Sequence, residues 1–156
     1  MTTDPPSLGE IVQAMIDATP YARALGLSFV SFAPARVRMR APYRPELVGD
    51  PESGVIAGPV ITALLDHVCG AAVMSAMPVR QSVATLDLRI DYMRPAAVGR
   101  GVLAEAHCYK VTRSVAFVRA VAFEDDPEDP VANATAAFMI ASDGGRRPGA
   151  NLKPSR

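Results

Sequence analysis

The longest apolar run of the chain, residues 54 to 73, predicts a buried helix with one acid, Asp66, near its middle. Gly58-Pro59 marks the expected start, because a proline in the first turn loses no hydrogen bond that the helix needs, and Pro78 ends the helix. Apolar residues occupy all sides, which is typical of a core element and not of a surface helix. The few polar positions are Thr62, Asp66, His67 and Ser75.

Alternation of polar and apolar residues predicts strands in the C-terminal half of the chain. The predicted strands are residues 83 to 93, 102 to 111, 115 to 123 and 132 to 140. The second and third should form a hairpin, because only residues 112 to 114 separate them. In the first, strict alternation assigns Leu88 and Tyr92 to one face and Thr85 to the other.

The N-terminal part predicts a short helix and a hairpin. Ser7-Leu8-Gly9-Glu10 has the form of a capping box at the start of an amphipathic helix. Residues 27 to 32 and 35 to 41 are predicted to pair as strands, and residues 43 to 53, rich in proline, glycine and charge, to form a loop. One long buried helix with a meander of strands predicts an α+β domain, an antiparallel sheet wrapped around the helix.

Composition and charge restrict the possible functions. With 156 residues, 49% of them hydrophobic, the chain has the size of one domain. The formal net charge is zero, so nothing predicts nucleic acid as a partner. Asp66, His67 and Arg80 interrupt the apolar region, so we expect no membrane span. The start of the chain lacks a signal-peptide pattern, and Cys69 and Cys108 have no metal or redox spacing, so we expect a cytoplasmic protein without a metal.

Two stretches of the chain carry a family resemblance. GVIAGPVITALLDHVCGAA, followed by TLDLRIDYMRPA, resembles the hotdog-fold acyl-CoA thioesterases, in particular the phenylacetic-acid-degradation (PaaI-type) branch of the 4-hydroxybenzoyl-CoA thioesterase superfamily. The resemblance covers about residues 26 to 141. It implies a hotdog domain in residues 26 to 142, after an N-terminal extension with a short helix in residues 1 to 25. We expect the tail, residues 143 to 156, to be disordered.

The resemblance implies an enzyme that hydrolyses a small, medium-chain or aryl acyl-CoA to the free acid and coenzyme A, with no cofactor. Gly58 would polarise the thioester carbonyl through its backbone N–H. Asp66 would act as nucleophile or general base, and Thr85 would help to hold the attacking water. Gly54 matches the glycine that precedes the motif and is a candidate substrate-binding residue.

Four cationic residues are candidates for contacts to the phosphates of coenzyme A. Lys110 and Arg113 lie in a turn that resembles the family's phosphate-contacting segment, with Thr112 where glycine is common. Together with Arg94 and Arg100 they would gather at one end of the domain, where arginine supplies bidentate contacts to phosphate. The alternative is that all four are solvated surface charges.

The chain departs from the family pattern at three positions. Ala57 stands where the family usually has histidine, Pro51 where asparagine often stands, and Pro59 removes one backbone N–H from the helix start. These departures leave open a non-catalytic hotdog protein that binds acyl-CoA. A plain structural or interaction protein is a further alternative, which would leave a buried, unpaired Asp66 without a purpose. A hotdog dehydratase or hydratase pairs a histidine with the acid, and here only His67 is near, on another face of the helix.

The residues alone leave two interpretations of Asp66. A buried carboxylate costs several kcal/mol unless it is paired, hydrogen-bonded or neutral. Asp66 either fixes packing through a hydrogen bond to a strand or to its own helix, or acts as a base or nucleophile that burial strengthens. The helix start at Gly58 carries partial positive charge that stabilises an oxygen becoming negative.

The spacing of Gly58 and Asp66 predicts an oligomer. Eight residues span about 12 Å along a helix, too far for both groups to act on one carbonyl. A two-fold dimer in which Gly58 of one helix faces Asp66 of the other solves this problem and places the active site at the subunit interface. The resemblance also implies homodimers or dimers of dimers.

Overall fold

The computed structural model describes residues 7–79 and 81–141. Its helices are α1 (Leu8–Ala18), α2 (Pro20–Leu25) and α3 (Gly58–Ala76), and a 3-10 turn covers Pro45–Leu47. Its strands are β1 (Ser28–Ala33), β2 (Arg36–Ala41), β3 (Val48–Asp50), β4 (Val55–Ile56), β5 (Val83–Tyr92), β6 (Val102–Val111), β7 (Val115–Phe123) and β8 (Ala132–Ile140).

Six strands form one antiparallel sheet in the order β1-β2-β6-β7-β8-β5, and α3 packs on one face of it. Most sheet residues buried in the core are alanines, so the sheet approaches the helix closely. They include Ala104, Ala106, Ala116, Ala120, Ala122, Ala134 and Ala136. The predicted α+β architecture, an antiparallel sheet around one long central helix, is confirmed.

Helix α3 begins and ends where the sequence predicts, to within one residue. Pro59 lies in its first turn, where the missing N–H has no partner within a helix. The helix ends at Ala76 because Met77, which precedes Pro78, is extended, with φ −99° and ψ 136°. By length and apolar composition alone α3 would also qualify as a membrane span, a test that the core helix of a folded domain passes as well.

Burial around α3 is uneven, which differs from the prediction of a helix covered on all sides. Leu64, Leu65 and Val68 have no exposed surface. Another face is only half-buried, and we call it the α3 stripe: Thr62, Ala63, Asp66, His67, Gly70 and Met74. The acid lies on this stripe, so it is not enclosed in the core of a single chain.

A β-bulge interrupts β5 near its start. Thr85 pairs with Phe138 and Asp87 with Ala137, so Leu86 has no partner on β8. A bulge inserts one extra residue into a strand and shifts the alternation of its side chains. Leu86 is 57% exposed as a result.

The bulge corrects the predicted faces of β5. Paired residues of antiparallel strands share a face, so Thr85 lies on the helix side with its buried partner Phe138. Leu88 lies on the same side, opposite the buried Ala136. The prediction that Thr85 and Leu88 occupy opposite faces is therefore wrong, because it assumed unbroken alternation.

The N-terminal capping box is confirmed. The Ser7 hydroxyl accepts the Glu10 N–H at 3.3 Å, and the Glu10 carboxylate accepts the Ser7 N–H at 2.7 Å. Helix α1 packs against β1. The sequence did not predict α2 or the β3–β4 hairpin, because six, three and two residues are too few to show a period. The expected disordered tail lies outside the described residues.

Candidate active site

Asp66 and Thr85 form the centre of the candidate site. Asp66 lies on the α3 stripe, and its Oδ1 accepts a hydrogen bond from Thr85 Oγ1 at 2.8 Å. Thr85 reaches this position because the bulge turns it toward the helix. Within residues 7–79 and 81–141, no donor is hydrogen-bonded to the other carboxylate oxygen of Asp66. The acid thus keeps one oxygen available for a reacting proton.

A groove of about 670 Å³ opens beside Asp66 and Thr85. It runs along the α3 stripe past Gly70 to Met74 and is closed on the sheet side by Phe138. Met15 of α1 also lines it. Beyond the acid the groove has both apolar lining residues, such as Met74 and Phe138, and the polar residues Gln81 and Ser82. A mainly apolar wall with a few polar groups suits a ligand with a reactive head and a hydrocarbon part.

Gly58 is the first residue of α3, eight residues before Asp66. The N–H groups of a first helical turn have no acceptor within the helix and carry partial positive charge. Ala57, the N-cap, supplies no side-chain hydrogen bond there. A second groove, of about 370 Å³, lies beside Gly58 and is lined by Ile61, Tyr92 and Arg94 among others.

Gly58 and Asp66 face different grooves of the same chain. Gly58 does not line the larger groove, and Asp66 does not line the smaller one. This geometry agrees with the spacing argument that one chain does not bring both groups to one carbonyl.

Tyr92 is a site residue that sequence reasoning missed. Its hydroxyl donates to the Gly58 carbonyl at 2.8 Å and lies 2.9 Å from Thr62 Oγ1. The motif Tyr-x-Arg-Pro singled out this tyrosine as a family feature, but alternation gave it only a core-facing position. The helical placement of Thr62 four residues after Gly58 is the signal that would have indicated a polar cluster at the helix start.

Gly54 lies in the turn between β3 and β4 and lines neither groove. Its φ of +71° is a conformation that residues with a side chain rarely adopt. The Tyr43 hydroxyl donates to its carbonyl at 2.8 Å. The glycine is explained by this turn, and a role in substrate binding stays a prediction.

Arg94 lies in an ion-pair cluster. It donates to Glu124 at 3.2 and 2.6 Å and to the Asp129 carboxylate at 3.1 Å. Glu124, which is buried, also accepts the Ala97 N–H at 2.6 Å. The hydrogen bonds from Arg94 lower the pKa of Glu124 against the opposing effect of burial, and those from Glu124 raise the pKa of Arg94.

The expectation that four cations gather at one end of the chain is wrong for a single subunit. Arg94 contacts Glu124, which follows the last residue of β7, and Arg100 pairs with Asp125 beside it. Lys110 and Arg113 are exposed near the turn before β7. The length of β7 separates the two pairs by roughly 25 Å. Acidic residues of the 124–129 turn attract the arginines to their own end.

His67 and Cys69 behave as structural residues. The His67 Nδ1–H donates to the Ala63 carbonyl of its own helix at 2.8 Å. Burial raises the pKa of the Cys69 thiol to about 12, with the charge of Asp66 acting in the same direction. A thiol that stays protonated at neutral pH is a poor nucleophile. Within the described chain, no group of three metal-ligating side chains occurs.

The chain is similar in sequence to known thioesterases. The family described as thioesterase superfamily matches residues 53–131. Acyl-coenzyme A thioesterase 13 of Homo sapiens is 30% identical over 118 residues, which cover 75% of this chain and 82% of the relative.

Two solved structures extend the likeness to the fold. One is a protein of Pseudomonas aeruginosa, 39% identical, with a TM-score of 0.78 and coverage of 85% of this chain and 98% of that one. The other is a mutant of the phenylacetic acid degradation protein PaaI from Thermus thermophilus. It is 26% identical, with a TM-score of 0.66, and the match covers 78% of this chain and 98% of that one.

Proposed function

This chain belongs to the thioesterase superfamily, and we propose that it hydrolyses acyl-CoA at a site that contains Asp66, Thr85 and Gly58. The chain is a thioester hydrolase with the predicted hotdog fold. The family match favours hydrolysis over the binding-protein and dehydratase alternatives.

The hydrogen bond from Thr85 to Asp66 is the observation that carries the proposal. Because the single hydroxyl hydrogen of Thr85 is donated to Asp66 in this hydrogen bond, the Thr85 oxygen is left to accept a hydrogen bond from water. A water between the two side chains would lose one proton to Asp66 as its oxygen attacks the thioester carbon. The C–S bond then breaks, and the departing thiolate takes up that proton. No cofactor enters these steps.

The helix start supplies the second element of catalysis. The carbonyl oxygen becomes negative as the C–O bond forms, and the Gly58 N–H with the helix dipole would stabilise it. Since Gly58 and Asp66 of one chain face different grooves, the proposed site combines Gly58 of one subunit with Asp66 of another.

Two features of the chain support a homodimer. β5 is an edge strand of the sheet, and an unpaired edge is suited to pairing with another copy. The half-buried α3 stripe lies next to it, as the Thr85 to Asp66 contact demonstrates. A second copy paired at β5 would cover both features at once. A dimer of dimers is compatible with the same contact.

The proposed substrates are small, medium-chain or aryl acyl-CoA thioesters. The groove beyond Asp66 is apolar at Ala71, Met74 and Phe138, and its volume of about 670 Å³ lies in the range of small-molecule sites.

The first test is thiol release from short-chain, medium-chain and aryl acyl-CoAs by the wild type and Asp66→Asn. We expect kcat to fall at least 100-fold, because the amide cannot accept the water proton. Asp126→Asn is the matched control, since Asp126 is exposed in the turn after β7. Full activity of folded Asp66→Asn would contradict the proposal.

The second test mixes two inactive variants. Gly58→Pro removes the N–H itself, and Gly58→Ala, which keeps it, is the control. If the site joins two chains, random dimers of Gly58→Pro with Asp66→Asn contain one intact site in half of the molecules, so about a quarter of the wild-type activity returns. No recovery, with mixed dimers demonstrated by mass spectrometry, would place each site within one chain.

A further inference from the structure

We propose that Tyr92 is a positioning residue that holds Gly58 in the orientation in which its N–H meets the thioester carbonyl. This rests on the function proposed above and extends it to a side chain that need not touch the substrate.

The contacts around Gly58 form a closed triangle. Tyr92 Oη donates to the Gly58 carbonyl at 2.8 Å. Because a phenol has one proton, the Thr62 hydroxyl is the donor in the 2.9 Å contact to Tyr92, and it also lies 3.3 Å from the same carbonyl. Tyr92 thus holds the backbone carbonyl of Gly58, and Thr62 orients the hydroxyl of Tyr92.

Gly58 needs such support more than an ordinary first helical residue. Glycine has the greatest backbone freedom, and the N-cap Ala57 has no side-chain hydrogen bond to the helix start. Pro59 has no N–H, and the Val60 N–H is already bonded to the Ala57 carbonyl at 3.0 Å. Gly58 therefore carries the N–H of the first turn that remains for a ligand at this end. A donor stabilises an oxyanion only when it is held in place beforehand.

Packing does not explain Tyr92. Half of the residue is exposed, at 50%, so it contributes little to the core. It flanks the groove beside Gly58, and a Cβ added to Gly58 would lie 3.5 Å from its hydroxyl. The phenol thus stands directly against the catalytic backbone rather than in the apolar interior.

The same strand contacts the catalytic helix at its start and near its middle. Near its start, β5 holds Asp66 through Thr85, and at its last residue it holds Gly58 through Tyr92. Each of the two groups has its own contact to β5. Loss of the Tyr92 hydroxyl should therefore alter the position of the Gly58 N–H and leave Asp66 in place.

The test is Tyr92→Phe, which removes the hydroxyl and keeps the ring. We expect kcat to fall about tenfold with KM within twofold of the wild type, because a positioning bond matters most in the transition state. Binding of the product coenzyme A, measured by calorimetry, should stay unchanged.

Tyr43→Phe is the matched control. It loses an equivalent bond from a tyrosine hydroxyl to a glycine carbonyl, at Gly54, and Tyr43 lines neither groove. Both variants should lower the melting temperature alike, whereas only Tyr92→Phe should lower kcat. An equal kcat in the two variants, or a change confined to KM in Tyr92→Phe, would overturn the inference.

A second variant tests the same inference if Tyr92→Phe does not fold. Thr62→Val removes the donor that orients the Tyr92 hydroxyl, and we expect kcat to fall about threefold; an unchanged kcat would overturn the inference. A wild type without thioesterase activity would instead refute the proposed function, so the two failures are distinguishable.

Discussion

Arg94 and Glu124 form a bidentate ion pair that joins the segments after β5 and β7. Its two hydrogen bonds measure 3.2 and 2.6 Å. The Glu124 side chain is only 5% exposed, and that of Arg94 30%. The pair fixes the segment after Tyr92, and so supports the strand end that contacts Gly58.

Replacing Glu124 by Gln should lower the free energy of unfolding by about 2 kcal/mol at pH 7, because it leaves a partly buried arginine without its main partner. The neighbouring ion pair of Arg100 and Asp125, which is exposed, offers a control. Asp125→Asn, which removes the charge paired with the exposed Arg100, should lower the free energy of unfolding clearly less than Glu124→Gln does. Urea unfolding of the three proteins measures both values.

The same pair predicts a dependence on pH. The pKa of Glu124 is lower in the folded state than in the unfolded chain, chiefly because of Arg94. Its contribution to stability is therefore complete above the unfolded value of about 4.3 and is lost as pH falls through the folded value. The stability difference between the wild type and Glu124→Gln should shrink below pH 4. A difference that stays constant down to pH 3 would contradict this.

Thr85→Val should lower kcat about tenfold or more, because the side chain keeps its shape and loses the hydroxyl bonded to Asp66. Thr85→Ser keeps the hydroxyl and should retain most of the activity. Steady-state kinetics with one good acyl-CoA substrate suffices. Equal activities of the valine and serine variants would show that the hydroxyl has no part in catalysis.

Gly70→Ala should stabilise the protein and narrow its substrate range. Alanine in a helix interior is favoured over glycine by about 1 kcal/mol. A Cβ there would lie 3.5 Å from the Phe138 ring, an ordinary contact, but on the groove side. We expect a higher melting temperature together with a loss of activity on bulky acyl groups. Ser75→Ala, outside the groove, should leave the substrate range unchanged.

Gly54→Ala should cost about 1–2 kcal/mol of unfolding free energy, because φ is +71° and the new Cβ would lie 3.1 Å from Val98 Cγ1. Gly99→Ala measures the cost of the backbone conformation alone, since φ is +78° and no atom lies within 4 Å of the added Cβ. It should cost less than Gly54→Ala in thermal unfolding. A raised KM in Gly54→Ala, at equal kcat, would support the predicted binding role.

The elements with strong local signals were predictable from the sequence. The bounds of β6 and β7 agree with the prediction at every end, because turns flank both runs of alternating residues. The start of helix α3 was predictable from Gly58-Pro59, and its end from Pro78. The residues Asp66 and Gly58 emerged from the family resemblance and from the chemical cost of an acid in an apolar run.

Other features depend on contacts between distant segments. Glu124 lies thirty residues from Arg94, so no local pattern reveals that this arginine is already paired. The exposure of the α3 stripe depends on how far the sheet reaches around the helix. The contact of Tyr92 with Gly58 joins residues 34 apart, and composition gives no measure of such a distance.

The unpaired Leu86 affects how this chain is aligned with its relatives. In a regular strand, two side chains on the same face are separated by an even number of residues. Thr85 and Tyr92 lie on the same face but are seven residues apart, because the bulge adds one residue between them. A gapless alignment with a relative whose fifth strand is regular would then match the threonine to a residue that points away from the helix. A one-residue gap at Leu86 restores the equivalence, and a search for the threonine in such relatives should allow for it.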